Sequence, residues 1–431
     1  MAESGRIARL HAVEILDSRG RPTVQTTCEL TDGTRATVSV PSGASTGAAE
    51  AHELRDGDPD RYGGLGVRLA VINVNSEINQ ALNGRPIENQ STIDQTLIEL
   101  DGTPDKSRLG ANAILSVSLA VARAAAMRNR VPLYHHFANM IGRTVGNPSL
   151  PRPTVNLFSG GKHAGDQIPI QDVLITPLSA QTADDAMAQI SAVYQAAIEI
   201  CGIKYEMRAL VADEGGLAPD FASIDMALGD AITAIKRAGL QPGIDMALCL
   251  DVASSHFYSN GRYRIENQLL SSAEMIEVIA GWTDTFPILS VEDGLAEDDW
   301  EGWPKLRSRL RDQVLVLGDD FLTTNPERIR RAIKTKAATA LLLKVNQIGT
   351  LTEAAEALRL AREAGWAVVV SARSGETEDD WLTDLAIGWG GDQLKVGSVT
   401  RSERLAKWNR LLTVADETGW SLAPWPNRGA S

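Results

Sequence analysis

Three acids, two lysines and an arginine carry most of the chemistry this sequence can do, and each lies in or just after a short apolar run. Residues 247–250 run into Asp251, residues 288–291 into Glu292, and residues 314–318 into Asp319. Residues 340–343 run into Lys344, residues 367–370 into Ser371-Ala372-Arg373-Ser374, and residues 393–396 contain Lys395. Three carboxylates with no cysteine or histidine cluster among them form a hard oxygen set suited to Mg²⁺. A lysine beside such a cation has its charged form disfavoured, so it can act as a general base. That pairing suits removal of a proton next to a carboxylate. An acid across the site, such as Glu214, can then protonate a departing hydroxyl. The guanidinium of Arg373, with Ser374, suits an anionic group such as phosphate.

These residues need a scaffold that brings strand ends together. Apolar runs alternating with amphipathic segments of helical length, such as residues 351–364, predict parallel βα units. Reactive side chains at strand C-termini are the habit of a (β/α) barrel. Ahead of them, residues 7–16, 23–30 and 34–40 alternate as half-buried antiparallel strands, joined first by the turn Asp17-Ser18-Arg19-Gly20. Ser91 is expected to cap a helix, and residues 111–127 to form a buried one. This is an α+β pattern, distinct from the later alternation. The fold class expected is α/β, a barrel catalytic domain over residues 143–431 behind a smaller α+β domain over residues 1–142. The Gly- and Pro-rich stretch 143–153 marks the boundary.

Two small, polar loops interrupt this order. Pro41 to Gly47, containing Ser45, reads either as a linker or as a lid bringing hydroxyls to an anion or metal. Ser159 to Gly165 contains His163, which reads equally as a catalytic lid residue and as a surface histidine. A strand over residues 168–176 carries Gln171 and Asp172. The run 209–212 leads into Asp213-Glu214-Gly215-Gly216, where paired glycines suggest a carboxylate beside a close backbone approach.

The 431 residues suffice for a barrel of about 250 and a second domain. A net charge of −13 disfavours nucleic acid and anionic membrane as partners. The N-terminus shows no signal peptide, and residues 111–127 are interrupted by Asn112 and Arg123, so no membrane span is expected. Cys28, Cys201 and Cys249 have no paired spacing, which suggests buried thiols in a reducing, cytoplasmic setting.

Six stretches resemble the enolase family, the phosphopyruvate hydratases of glycolysis, and together they span nearly the whole chain. They are ILDSRG at 15–20, SGASTG at 42–47, VADEGGLAP at 211–219, LLLKVNQIG at 341–349, RSGETED at 373–379 and RSERLAK at 401–407. The resemblance implies a barrel whose first connections depart from simple (β/α)₈ order, two Mg²⁺ ions with the second linked to substrate, and a homodimer. Position by position, it implies that Lys344 takes the α-proton and Glu214 assists loss of the hydroxyl, the Lys–Mg²⁺ pairing known for this superfamily. It implies Asp251, Glu292 and Asp319 as ligands of the first ion and Ser45 as a lid ligand of the second. Arg373 and Ser374 correspond to the phosphate-binding pair, and Lys395, Gln171 and His163 to substrate contacts.

The chain departs from the family inside the same site. Ala372 stands where the family has histidine, Asp172 where it has glutamate, and His256, expected on the surface, also where it has glutamate. Those departures suggest retained enolate chemistry on a changed glycerate ester, as in carboxyphosphonoenolpyruvate synthase of phosphonate antibiotic pathways, which acts on a phosphonoformyl glycerate. A glycolytic enolase and a catalytically silent enolase-fold binding protein are the alternatives.

Overall fold

The computed structural model describes residues 5–43, 47–144 and 149–426. The chain opens with an antiparallel meander of β1 (Ile7–Leu16), β2 (Pro22–Leu30) and β3 (Arg35–Ser39). The β1–β2 turn is closed by Asp17, whose Oδ1 accepts the backbone N–H groups of Arg19 and Arg21. The almost wholly buried helix Ala111–Asn129 covers the sheet, and Thr26 and Ser116 share a buried hydrogen bond across that contact. The helix expected to begin at Ser91 spans Gln90–Asp101 and is capped one turn edge earlier, because the Asn89 side chain accepts the Ser91 N–H. A caboxamide acceptor in extended backbone competes well with a serine two residues on.

The barrel begins with β4 (Arg152–Ser159), β5 (Asp172–Pro177) and β6 (Met246–Asp251). A small antiparallel sheet follows, made of β7 (Tyr258–Ser259), β8 (Arg262–Ile265) and β9 (Gln268–Leu270). The barrel resumes with β10 (Ile288–Glu292), β11 (Leu315–Gly318), β12 (Ala340–Leu343), β13 (Ala367–Ser371) and β14 (Gln393–Lys395). It closes in the order β10-β11-β12-β13-β14-β4-β5-β6. All neighbours are parallel except around β5, which runs antiparallel to both β4 and β6.

Side chains alternate between the barrel interior and the helical shell. Leu315, Leu317, Ala340, Leu342, Ala367 and Val369 form a separate inner cluster, against which Trp425 packs. Val316, Leu341, Leu343, Val368 and Val370 belong to the larger core shared with the helices. Extending the inner phase to the strand ends brings Asp319, Lys344 and Lys395 to the mouth. The helix Ala183–Lys204 is long and apolar enough to cross a membrane by length and composition, more so than 111–127. Its buried residues, among them Ile190, Val193 and Ile200, lie in the common core. Cys28, Cys201 and Cys249 are free and buried, as expected.

Candidate active site

The mouth of the barrel gathers nearly every residue singled out from the sequence. Asp251 and Glu292 end neighbouring strands in register, and Lys395 ends β14. Lys395 Nζ reaches across the mouth to Asp251 Oδ2 at 2.9 Å and Glu292 Oε2 at 2.7 Å. Asp319 follows β11; its Oδ2 pairs with Lys344 Nζ, and its Oδ1 accepts from Gln347 Nε2 at 2.8 Å. Behind it, Asp293 takes the backbone N–H groups of Asp319 and Asp320, both at 2.8 Å. Asp293, Asp319 and Asp320 thereby bring ligand oxygens within reach of a single ion.

So many buried carboxylates need counter-charge. Burial, with Asp251 adding to it, holds Glu292 well above the usual carboxylate range. Burial and neighbouring acids do the same to Asp293, and bring Asp320 to about 7. Gln171 donates to Asp251 Oδ2 at 3.2 Å, while its Oε1 is buried without a partner. An all-oxygen donor set, short of positive charge and with an unsatisfied amide oxygen beside it, fits a hard divalent cation.

With the protein's own groups alone, burial favours the neutral amine of Lys344, but Asp319 and Glu292 together outweigh it and hold the ammonium form above its ordinary range. A cation bound beside the lysine would act in the opposite direction.

The acid side is built differently. Glu214 does not end a strand; it lies in the turn between Ala212 and Gly216. The close approach expected of the paired glycines is there: Gly215 has φ +89°, and a Cβ on it would lie 3.0 Å from the Thr400 carbonyl oxygen. Gly397, with φ +101°, packs the same way, a Cβ on it lying 2.8 Å from the Glu214 carbonyl oxygen. Glu214 Oε2 accepts from Asn156 Nδ2 at 3.0 Å, and Oε1 lies 3.6 Å from His163 Nε2. His163 is buried rather than on the surface, with Nδ1 at 2.8 Å from Asp172 Oδ2. Burial works against charge on both Glu214 and His163. Nearby charges together outweigh it: His163, Arg404 and the two lysines act on Glu214, and Asp172 followed by Glu214 acts on His163. Glu214 falls to about 2, and His163 rises to about 9.

At the anion side, Arg373 donates from Nη1 to Glu50 Oε2 at 2.9 Å and to Asn346 Oδ1 at 3.2 Å. Ser374 Oγ accepts from Arg19 Nη1 at 3.3 Å, and Arg404 braces the carbonyls of Arg373 and Ser374, both at 2.7 Å. Ser42 pairs with Gly375 by two backbone hydrogen bonds. Ser45 lies outside the described residues. Ala372 is buried and lines a cavity of about 20 Å³ together with His163, Gln171, Glu214, Lys344 and Lys395.

Two corrections concern position. The strand expected to contain Gln171 starts one residue later, at Asp172, and its reversal brings both residues to the mouth. His256 is half-buried in the turn after β6, not on the open surface. Glu50, Gln347, Asn156 and Arg19 were not found from the sequence. Arg19 and Gln347 lie inside two of the matching stretches and Glu50 just past a third, and that placement was the signal available.

Two sequence profiles match the chain: "Enolase, N-terminal domain" over residues 7–137, and "Enolase, C-terminal TIM barrel domain" over residues 147–425. Enolase 1 of Methylococcus capsulatus (strain ATCC 33009 / NCIMB 11132 / Bath) is 48% identical over 417 residues, covering 96% of this chain and 98% of that one. With similarity running through both halves, and with buried carboxylates and lysines converging on one barrel mouth, the chain belongs to the enolase family of carbon–oxygen hydro-lyases.

Proposed function

We propose that this protein interconverts 2-phosphoglycerate and phosphoenolpyruvate with Mg²⁺, as a homodimer in the cytoplasm. The observation that carries this reading is the shared cavity: Lys344 from the end of β12 and Glu214 from the 212–216 turn both line it, with Arg373 and Ser374 at its edge. The full-length similarity to an enolase supports it further. Enolases depend on Mg²⁺, and the donor set described above fits that ion. In this reading Asp251, Glu292 and Asp319 hold one ion, and Ser45 helps hold a second. When bound, the ions supply positive charge to the substrate carboxylate as it takes up the electron pair from the α-carbon.

The side chains do the rest. Lys344, once neutral, takes the α-proton, and Glu214, once protonated, gives a proton to the β-hydroxyl, which leaves as water. Both states are the reverse of those the protein's own charges favour, so substrate and cation charge must shift them. The proton count balances: one is gained by lysine and one is lost by glutamate. Arg373 and Ser374 orient the phosphate, while Lys395, Gln171 and His163 contact the substrate.

The phosphonoformyl ester suggested by Ala372 finds less support. The relative that covers nearly the whole chain carries the enolase name. A side-by-side assay decides. The expected result is Mg²⁺-dependent turnover of 2-phosphoglycerate, followed by enol absorbance, at ordinary enzymatic rates of about 1–10³ s⁻¹. Consumption of the phosphonoformyl ester alone would transfer the assignment to that substrate. Inactivity in both arms despite Mg²⁺ binding would favour a silent binding protein. Sedimentation of the intact chain tests the dimer.

A further inference from the structure

Asp172 is almost fully buried, and both of its oxygens are occupied. Oδ1 accepts from Ser159 Oγ at 2.5 Å, and Oδ2 faces His163 Nδ1 at 2.8 Å. The far edge of the imidazole turns to Glu214, with Nε2 at 3.6 Å from Oε1. The series is therefore hydroxyl, carboxylate, imidazole, carboxylate. The backbone builds it deliberately. Ser159 and Asp172 are directly opposite in the β4–β5 register. Gly216 leaves room for the hydroxyl, since a Cβ there would lie 2.4 Å from Ser159 Oγ.

An imidazole between two carboxylates has one well-satisfied arrangement. Its Nδ1–H donates to the acceptor within hydrogen-bond reach, and this choice fixes what Nε2 presents on the other side. With Asp172 holding Nδ1, Nε2 presents a lone pair to Glu214 when the ring is neutral and an N–H when it is charged. The Asp172 carboxylate has no hydrogen bond to Glu214 or Lys395 among the described residues, although it and the Glu214 carboxylate approach within 4.8 Å beside the ring.

We infer that Asp172 and Ser159 are positioning residues for His163, locking the ring so that Nε2 addresses Glu214, and that this orientation of the histidine is the main way Asp172 serves the acid side. The inference rests on the assignment of Glu214 as the acid, and it adds a chain of command behind that residue.

Two measurements on the full-length protein test it. The first needs no substrate. With ¹⁵N-labelled histidine, the six rings are resolved by NMR, and the His163 signals are identified by their loss in His163→Asn. The expected result is a protonated, hydrogen-bonded Nδ1 in the wild type that shifts in Asp172→Asn and shifts less in Ser159→Ala. A wild-type His163 with bare Nδ1, or one unmoved by Asp172→Asn, overturns the inference whatever the substrate proves to be.

The second is a double-mutant cycle on 2-phosphoglycerate turnover. Asp172→Asn is expected to lower kcat at least about 10-fold with KM within about 3-fold, a loss of the size that acid–base groups control. In a His163→Asn background the same change is expected to cost little further. Losses that multiply would show Asp172 acting independently of His163 and would overturn the inference. Ser159→Ala, a smaller change, carries the same cycle if Asp172→Asn folds poorly. Failure to turn over 2-phosphoglycerate at all would strike the proposed function while leaving the NMR result standing on its own.

Discussion

The two sides of the barrel mouth are assembled by different means. On the base side, Asp251, Glu292, Asp319, Lys344 and Lys395 sit at or just past the ends of mutually parallel strands, on the inward phase, and hold one another by ion pairs. On the acid side, one reversed strand, the short helix Gly161–Ala164 and the 212–216 turn set Asp172, His163 and Glu214 side by side, the first two joined by a hydrogen bond and the last two 3.6 Å apart. Repetition builds the first and local backbone geometry builds the second. The base side therefore tolerates changes in its loops better than the acid side, where a few close backbone approaches decide where a carboxylate points.

That contrast can be broken or sharpened by four substitutions. The largest effect is expected for Lys344→Ala, which removes the proposed base and is expected to lower kcat by about 10⁴-fold while far-ultraviolet circular dichroism stays unchanged. A loss of merely 10-fold would move the base elsewhere. Next, Glu292→Gln is expected to weaken Mg²⁺ binding by about 100-fold in calorimetry, a loss at least as large as that seen for outer partners of metal ligands. Unchanged Mg²⁺ affinity would remove Glu292 from the ligand set.

On the acid side, Gly397→Ala places a side chain at φ +101° against the Glu214 carbonyl. It is expected to destabilise the protein by about 3 kcal/mol in urea titration and to lower kcat as well. A neutral result would show that the turn adjusts freely. The smallest effect concerns pH. His163 is raised to about 9 in the fold by Asp172 and Glu214, with Asp251 adding to them, against an ordinary value near 6.5. A raised histidine stabilises fully below its unfolded pKa, and that contribution fades as pH climbs through the folded value. Stability is expected to fall by on the order of 2 kcal/mol between about pH 6.5 and 9, and His163→Asn is expected to flatten that slope. An equal slope in both proteins would assign it to other groups.

The same contrast explains what could be read in advance. The base side was legible because a charge closing a Val/Leu/Ile run on the inward phase leaves a mark in the sequence itself, repeated five times. The N-terminal meander was legible for a similar reason, through period-two alternation. The acid side was not, because nothing in residues 168–176 announces that the strand runs backwards, and nothing at Glu214 announces a turn instead of a strand end. His163 stayed undecided because its burial depends on Asp172 and Glu214, which are distant from each other in sequence and adjacent in space. Ser91 lost its capping role to Asn89 through backbone geometry that composition does not carry.

The contacts between the smaller domain and the barrel have one more consequence. Ser42 is stitched to Gly375, Arg19 to Ser374, Glu50 to Arg373, Lys106 to Glu353 and Arg123 to Asp379. Three of these seams end on Arg373, Ser374 and Gly375, the segment proposed to bind the substrate anion. The barrel is thus not a free-standing catalyst with an appendage, and a graft that joined it to a foreign N-terminal domain would have to match at Arg19, Ser42 and Glu50 before the anion site could form. The two domains are a single heritable unit, and recombination near residue 145 would separate halves of one binding surface.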